Sequence, residues 1–237
     1  MVKGINLGSG DSWNLTGWRG IDKICGDFLN AETILPFADN SVENAYSSHF
    51  FEHVDDETSL HLFEETYRVL KPGGIFRIVV PDFEFFIRKY RLNDEKWFRS
   101  IRGARPEWAK YDVPDTISSL LLHWVANYDY QGPKGFYRGP PMGIPEQEVK
   151  LKATFGIKAF CEWAQGLVPK DDPKVTTQHI NWWNFDKFST LLTKAGFVDI
   201  HESQYQRSNS KTMLESGMFD SWKPNRQPFS LYVEITK

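Results

Sequence analysis

Residues 55–80 read DDETSLHLFEETYRVLKPGGIFRIVV, and this stretch decides the fold class. Its first half predicts a helix from Asp55 to Leu70, because apolar side chains recur there at helical spacing. These side chains are Leu60, Phe63, Tyr67 and Leu70. Pro72 ends the helix, since proline cannot continue its hydrogen bonding. The mostly apolar run from Ile75 to Val80 is typical of a strand that is buried in a parallel sheet.

The chain on either side of this stretch continues the pattern. Further strands are predicted at residues 4–10, 18–22, 42–48, 197–205 and 229–235. The apolar face of residues 185–195 predicts a second helix, which Gly196 ends. Strands that alternate with helices in this way indicate an α/β fold built on one sheet.

The rhythm changes between the two halves of that sheet. Helical patterns are found at residues 83–90, 117–128 and 146–167, and segments rich in glycine and proline separate them, such as 131–145. We therefore expect a core made of residues 1–82 and 179–237. Residues 83–178 are expected to form a helical insertion that caps the acceptor site.

Composition narrows the class of protein. The net charge of −3 gives no overall attraction to nucleic acid or to an anionic membrane. The two cysteines, Cys25 and Cys161, suit a reducing compartment and cannot build a disulfide framework. Residues 1–9 contain no apolar segment of the kind found in signal peptides, and no apolar run approaches the ~18 residues of a membrane span. We expect a cytoplasmic protein without a nucleic-acid or membrane partner.

The first strand runs into a glycine turn that could face a ligand. Gly8, Ser9 and Gly10 let backbone N–H groups approach a bound molecule closely. Asp22 ends the next extended segment and could accept the hydroxyls of a ribose. Asp27 and Phe28 could contact an adenine. Each also has a simpler interpretation as a tight turn, a cap or a turn residue, but together they are typical of an adenosine site.

Six segments of the chain resemble the successive motifs of a known family. They are INLGSG, GWRGID, LPFADNSVENAYSSHFFEHV from Leu35, RVLKPGGIFRIVVPD from Arg68, HINWWNFDKFSTLLTKAGF from His179, and SLYVEITK. They resemble class I S-adenosylmethionine-dependent methyltransferases, in particular small methyltransferase-domain proteins that are associated with polysaccharide and glycan pathways. This resemblance covers residues 1–82 and 179–237. It implies a Rossmann-like three-layer sandwich with a mostly parallel sheet and an antiparallel last strand.

The same resemblance implies S-adenosylmethionine as the cofactor and assigns residues to it. The predicted cofactor-binding set is Asn6, Leu7, Gly8, Ser9, Gly10, Asp22, Asp27, Phe28, Ser48, His49, Phe50 and His53. Within it, the glycine turn would run alongside the methionine part of the cofactor, and Asp22 would bind the ribose. Asp27 and Phe28 would face the adenine, and Ser48 to Phe50 would close the site.

The spacing departs from the family pattern early in the chain. Asp22 follows Gly10 by twelve residues, and Asp27 follows Asp22 by five. Neighbouring parallel strands need a dozen or more residues to connect. One of the usual strands is therefore missing or reduced to a loop.

Methyl transfer from a sulfonium depends mostly on holding the acceptor near the methyl group in line. A hydroxyl acceptor would also need a base, and the candidates are His49, His123 and His179. Each of them could instead be a packed or capping histidine. His49 and His53 flank Glu52, but spacing supplies no third ligand, so no metal site is predicted.

The insertion is rich in cations, which bears on the acceptor. They are Arg88, Lys89, Arg91, Lys96, Arg99, Arg102, Arg105 and Lys110. They form either a solvated face or a clamp for an anionic acceptor. We expect methyl transfer to a small-molecule or sugar acceptor, including a phosphorylated metabolite. A nicotinamide-dependent oxidoreductase or epimerase, or a non-catalytic binding module of the same fold, remains an alternative. The oligomeric state stays open.

Overall fold

A computed structural model describes residues 2–10, 15–22, 29–102, 106–219 and 229–237. The chain divides into two compact units. The sheet unit comprises Met1–Pro81 and Trp183–Lys237, and the inserted unit comprises Asp82–Trp182.

The secondary structure is as follows in chain order. The strands are β1 (Gly4–Leu7), β2 (Trp18–Ile21), β3 (Val42–Ser48), β4 (Leu70–Pro81), β5 (Tyr128–Gly132), β6 (Gly135–Gly139), β7 (Val175–Gln178), β8 (Asp199–Glu202) and β9 (Ser230–Thr236). The helices are α1 (Asp56–Val69), α2 (Phe83–Arg91), α3 (Glu95–Arg102), α4 (Pro106–Ala109), α5 (Ile117–Val125), α6 (Glu146–Lys152), α7 (Ile157–Gly166), α8 (Phe185–Lys194) and α9 (Lys211–Glu215).

The sheet unit is built on six strands in the order β2-β1-β3-β4-β9-β8. The first four run parallel, and β9 pairs antiparallel with β4 and with β8. This confirms the predicted Rossmann-like α/β fold with a mostly parallel sheet and an antiparallel last strand.

Helix α1 forms where its apolar spacing predicted it. The carboxylate of Asp55 accepts a hydrogen bond from the Thr58 backbone N–H over 2.8 Å and so caps its first turn. The predicted end of the helix before Pro72 is confirmed, because α1 ends at Val69, and Gly73 adopts a positive φ of 77°. Strand β4 begins at Leu70, earlier than the predicted Ile75. The reason is a long-range pairing, in which Gly73 N–H donates to the Lys237 carbonyl and Lys237 N–H donates to the Gly74 carbonyl.

Arg68 explains why two of the sequence motifs occur together. Its guanidinium donates to the carbonyls of Leu35 and Phe37 over 3.0 and 2.9 Å, so α1 fixes the loop before β3. Glu65 holds the guanidinium in place through two hydrogen bonds of 2.8 Å. Fork-shaped pairing of this kind is specific to arginine. The loop motif from Leu35 and the helix motif from Arg68 are therefore held together by the same hydrogen bonds.

One face of the sheet is covered by α1 and α8 around an aromatic core. Its rings come from Phe51, Phe63, Phe76, Trp183 and Phe188, all fully buried. Trp183 stacks on Phe188 with centroids 4.1 Å apart, and its indole N–H donates to the Phe51 carbonyl over 2.9 Å. This bond fixes the chain directly after the end of β3 to the helical layer.

The opposite face of the sheet carries polar and aromatic side chains. Strand alternation places Tyr46, Arg77 and Tyr232 on this face, where they pack against the segment 203–219 that contains α9. Arg77 lies 5.2 Å from the ring centroids of Phe219 and Tyr232 and donates to the Gln204 carbonyl. Burial lowers the pKa of its guanidinium. This buried cation attaches the segment to the sheet.

The inserted unit contains a small sheet that sequence analysis did not find. Strand β5 forms a hairpin with β6 and also pairs antiparallel with β7. Glycine and proline predicted loops throughout residues 131–145, but Gly132, Pro133 and Gly135 lie at the turn that joins β5 to β6, and only the residues after Gly139 form a loop. The Asp129 carboxylate and the Arg138 guanidinium, which face each other across the hairpin, form two hydrogen bonds of 2.6 Å.

The predicted helix at residues 146–167 is two helices, α6 and α7. Arg91 donates to the Ala153 carbonyl over 2.7 Å and also to the Phe155 carbonyl. These bonds satisfy backbone groups at the end of α6, which would otherwise continue the helical ladder. Gly156 then starts α7 as its N-terminal cap. Across the described ranges, every helix is too short or too polar to cross a bilayer.

Candidate active site

The glycine turn follows β1 at the carboxyl end of the parallel strands. Gly8 and Gly10 both adopt positive φ, of 70° and 69°. Gly8 N–H donates to the Ile21 carbonyl over 2.9 Å, which joins the turn to the end of β2. A Cβ on Gly8 would overlap the ring of Phe50, whereas a Cβ on Gly10 would meet no atom of the described residues within 4 Å. The turn is thus closed by Phe50 on one side and open at Gly10.

Asp22 lies directly after β2 and contacts this turn. Its Oδ2 accepts a hydrogen bond from the Gly10 backbone N–H over 3.0 Å. Two elements of the predicted cofactor-binding set, twelve residues apart in sequence, are therefore in direct contact. Open α/β sheets bind ligands at this edge, beyond the carboxyl ends of neighbouring strands.

Two polar atoms near the turn have no hydrogen-bond partner among the described residues. They are Oδ1 of Asn6, whose side chain is almost fully buried, and Oγ of Ser48. Asn6 pairs with Tyr46 in register, so Asn6 and Ser48 lie on the same face of β1 and β3. Buried polar atoms without a partner are costly, and such atoms fit a site that a polar ligand completes.

Leu7 differs from its neighbours in the predicted set. Its side chain is fully buried on the apolar face, opposite to Asn6. Its carbonyl accepts from Ser47 Oγ over 3.0 Å. The structure therefore does not bring the Leu7 side chain to the turn.

His49 follows β3 in an uncommon backbone conformation. Its φ is 54°, in the left-handed region that non-glycine residues rarely adopt. Its Nδ1 lies 3.1 Å from Oε1 of Glu52, and its Nε2 lies 3.4 Å from Oγ of Ser230. The imidazole is 28% exposed, so it can meet a ligand. Strained residues cluster at functional sites, which favours a role for His49.

Phe50 precedes the short 3-10 turn Phe51–His53, and His53 ends it. The ring of Phe50 lies edge-on to Phe51 with centroids 5.1 Å apart, and this contact orients it toward the glycine turn. His53 N–H donates to the Phe50 carbonyl over 2.9 Å. Asp27 and Phe28, the predicted adenine contacts, lie outside the described residues.

The two other candidate bases belong to the inserted unit. His123 is fully buried, with the rings of Trp108 and Trp124 centred 5.6 and 5.9 Å away. His179 is 7% exposed, and its Nδ1 lies 2.9 Å from the Trp124 carbonyl oxygen. Both side chains are therefore buried.

Several of the cations in the insertion have internal partners. Arg99 pairs with Glu95 and Asp115, and Lys89 pairs with Asp94. Arg91 is used by the end of α6. Arg88 is exposed and stacks on the Phe85 ring, 5.4 Å from its centroid. The side chains of Arg102 and Arg105 lie outside the described part.

Sequence analysis did not assign two side chains that contact His49. The spacing of His49 and Glu52 is a local signal, because a carboxylate three residues after a histidine can reach its ring in a tight turn. Ser230 follows 181 residues later, at the start of β9. Its contact arises from the antiparallel pairing of β9 with β4, which puts Ser230 opposite Pro81. Local sequence carries no signal for such a contact.

Part of the sheet unit matches a known protein family. Residues 12–78 match the family described as Methyltransferase domain. A curated relative from Erwinia billingiae, named DNA gyrase inhibitor, is 25% identical over 91 residues, and the chain spans 59% of that relative's length.

Solved structures with related folds have low sequence identity to the chain. A methyltransferase from Mesorhizobium loti is 14% identical, with a TM-score of 0.40 over 99% of this chain and 90% of its own. A possible histamine N-methyltransferase from Thermotoga maritima is 15% identical, with a TM-score of 0.40 over 99% and 82%. A phosphoethanolamine N-methyltransferase from Haemonchus contortus is 12% identical, with a TM-score of 0.38 over 99% and 48%.

The family match contains β2, the loop that Arg68 binds, β3, α1 and most of β4. These elements lie around the glycine turn and His49. The sheet order and the antiparallel last strand extend the same architecture beyond the match. Residues 12–78 therefore match a methyltransferase domain, and the sheet that contains them has the strand order of a Rossmann-like α/β fold.

Proposed function

We propose that the protein transfers a methyl group from S-adenosylmethionine to a hydroxyl of a small-molecule or sugar acceptor. The cofactor binds at the carboxyl ends of β1, β2 and β3, and His49 is the base. The hydrogen bond between Asp22 Oδ2 and Gly10 N–H carries the proposal. It supports one site that contains both the glycine turn and the carboxylate assigned to the ribose.

The residues around the turn fit the cofactor. No atom of the described residues lies within 4 Å of a Cβ placed on Gly10, which supports a ligand against the backbone there. Asn6 Oδ1 can accept a hydrogen bond from the amino group of the methionine part, and Ser48 Oγ can donate to its carboxylate. When bound, the cofactor supplies an electrophilic methyl group on a positively charged sulfur.

His49 supplies what the reaction needs from the protein at the acceptor. Its Nε2 takes the hydroxyl proton, and the electron pair of the O–H bond stays on the acceptor oxygen. A lone pair of that oxygen forms the new bond to the methyl carbon, while the pair of the broken carbon–sulfur bond stays on sulfur. Positioning provides most of the remaining rate, because the displacement must be in line.

The surroundings favour His49 over the two other histidines. It is 28% exposed, whereas His123 and His179 are packed against tryptophan rings or a carbonyl of the inserted unit. Its Nε2 already faces the hydroxyl of Ser230, so the site accommodates an O–H donor at this nitrogen. Tyr232 is no alternative base, because burial raises its pKa to about 12 and keeps the phenol protonated.

We also infer that the inserted unit recognises the acceptor. Arg88 supports an acceptor with a phosphate group, since its guanidinium has no ion-pair partner within the described ranges and is exposed on α2. Arg91 and Arg99 bind internal partners, so fewer of the cations listed in the sequence analysis are left to bind an anionic acceptor.

The experiment is a transfer assay with methyl-labelled S-adenosylmethionine and a panel of sugars, sugar phosphates, phenols and primary amines. We expect labelled methyl ethers. In His49→Gln, we expect kcat to fall by about 10²–10⁴-fold with S-adenosylhomocysteine affinity kept. His201→Gln, on the edge strand β8, is the matched control, and we expect its kcat to stay unchanged. Products that are exclusively N-methylated, or a kcat that does not depend on His49, would contradict the proposal.

A further inference from the structure

We propose that Glu52 is the positioning residue of His49, so that Glu52, His49 and Ser230 form one hydrogen-bonded relay. Glu52 accepts a hydrogen bond from Nδ1–H of the imidazole and thereby leaves the lone pair on Nε2. This inference rests on the proposed function, because it names the group that makes His49 a base. It concerns the resting protein and is measurable without an acceptor.

The first observation is the contact between the carboxylate and the ring. Oε1 of Glu52 lies 3.1 Å from Nδ1 of His49, which is hydrogen-bond distance for a nitrogen donor. The Glu52 side chain is only 1% exposed. An ionised carboxylate is an acceptor only, so the ring nitrogen that contacts it carries the proton. A hydrogen bond to a charged group is strong enough to favour one tautomer by about tenfold or more.

The second observation is the partner of the other ring nitrogen. Nε2 of His49 lies 3.4 Å from Oγ of Ser230, which can donate its hydroxyl proton to a lone pair. The contact is longer than the one to Glu52 and involves no charge, so it is the weaker of the two. An acceptor hydroxyl can take its place. The two contacts agree on a single tautomer.

The third observation is how the backbone brings the three residues together. The left-handed conformation of His49 turns the chain at the end of β3 into the 3-10 turn that contains Glu52. His49 N–H donates to the Val79 carbonyl over 2.8 Å, which anchors the strained residue to β4. Ser230 lies at the start of β9, the strand on the other side of β4. The sheet thus places His49 and Ser230 at the ends of the two strands that flank β4, and the turn after β3 places Glu52 beside His49.

The test reads the tautomer of His49 directly. The protein is labelled with ¹⁵N-histidine, and long-range ¹H–¹⁵N correlation spectra are recorded at pH about 8.5, above the ordinary titration range of imidazole. His49→Gln assigns the signals. In the wild type we expect the Nδ1-protonated tautomer to dominate by about tenfold or more. In Glu52→Leu we expect this preference to be lost.

Two further variants keep the test decisive. Ser230→Ala removes the weaker contact and is expected to preserve the tautomer. Glu52→Gln is nearly isosteric and can donate as well as accept, so we expect mixed tautomers even if Glu52→Leu does not fold. A wild-type tautomer that persists in Glu52→Gln, or is lost in Ser230→Ala alone, would overturn the inference. Failure of the wild type to bind S-adenosylhomocysteine would instead contradict the proposed function and leave the tautomer result intact.

Discussion

Gly8 and Phe50 are so close that any side chain on Gly8 would overlap the Phe50 ring, although 42 positions separate them in sequence. A Cβ on Gly10, two residues further along the same turn, would contact none of the residues that the structure describes. The two glycines share nearly the same positive φ, so they differ in their surroundings and not in their backbone. This difference separates the role of the turn in folding from its role in binding.

We therefore expect Gly8→Ala to lower mainly the free energy of unfolding and Gly10→Ala to lower mainly the affinity for the cofactor. Each substitution adds about 1–2 kcal/mol of left-handed strain. Gly8→Ala must also displace Phe50, which adds about 1–3 kcal/mol to the loss of unfolding free energy. Gly10→Ala puts its methyl group into the space assigned to the cofactor, so its larger effect is a lower affinity for S-adenosylhomocysteine. Urea unfolding and titration calorimetry on both variants check this, and equal losses of stability would contradict it.

The parts of this site that sequence predicts are those fixed by neighbours along the chain. The glycine turn after β1, Asp22 after β2 and His49 after β3 follow from strand ends that meet at one sheet edge. The position of Ser230 beside His49 depends on the register between β4 and β9, which only the whole sheet determines. Sequence patterns show the strands but not how they are paired.

The errors in the fold have the same origin. The apolar run predicted a strand from Ile75, but the backbone at Gly73 and Gly74 pairs with Lys237, so the strand begins at Leu70. The glycines of β5 and β6 predicted a loop where the structure has a hairpin. The Asp129–Arg138 pair that stabilises the hairpin depends on the strand register, which local sequence does not determine. In each case a contact distant in sequence outweighs the local propensity.

The Glu65–Arg68 pair predicts a pH dependence of stability. The hydrogen bonds from the Arg68 guanidinium lower the pKa of Glu65 below its usual value of 4.5. The ionised carboxylate therefore stabilises the folded state at pH values above 4.5, and this contribution is lost as the pH falls through the lower, folded-state pKa. Glu65→Gln should cost about 2 kcal/mol at pH 7 and progressively less below pH 4.5. Urea unfolding at pH 7 and at lower pH measures both values, and a deficit independent of pH would argue against the pair.

The buried pair of Arg77 and Glu234 should matter far more than its exposed counterpart. These side chains are 0% and 1% exposed, whereas Lys71 and Glu43 are 39% and 49% exposed. Glu234→Gln keeps the shape of the side chain but leaves the guanidinium uncompensated, which costs about 3–5 kcal/mol. Glu43→Gln should cost no more than about 1 kcal/mol. Unfolding free energies of the two variants test this, and similar losses would show that the buried cation is compensated elsewhere.

The central claim is that S-adenosylmethionine binds at the edge formed by the glycine turn and Asp22. Titration calorimetry with S-adenosylhomocysteine, on the wild type and on Asp22→Ala, tests it most directly, with NAD as the control ligand and Asp199→Ala as the control variant on the exposed strand β8. We predict saturable binding of S-adenosylhomocysteine by the wild type and none of NAD. The affinity should fall by about 1–3 kcal/mol in Asp22→Ala and stay unchanged in Asp199→Ala. Tight binding of NAD alone, or an affinity that Asp22→Ala leaves unchanged, would contradict the claim.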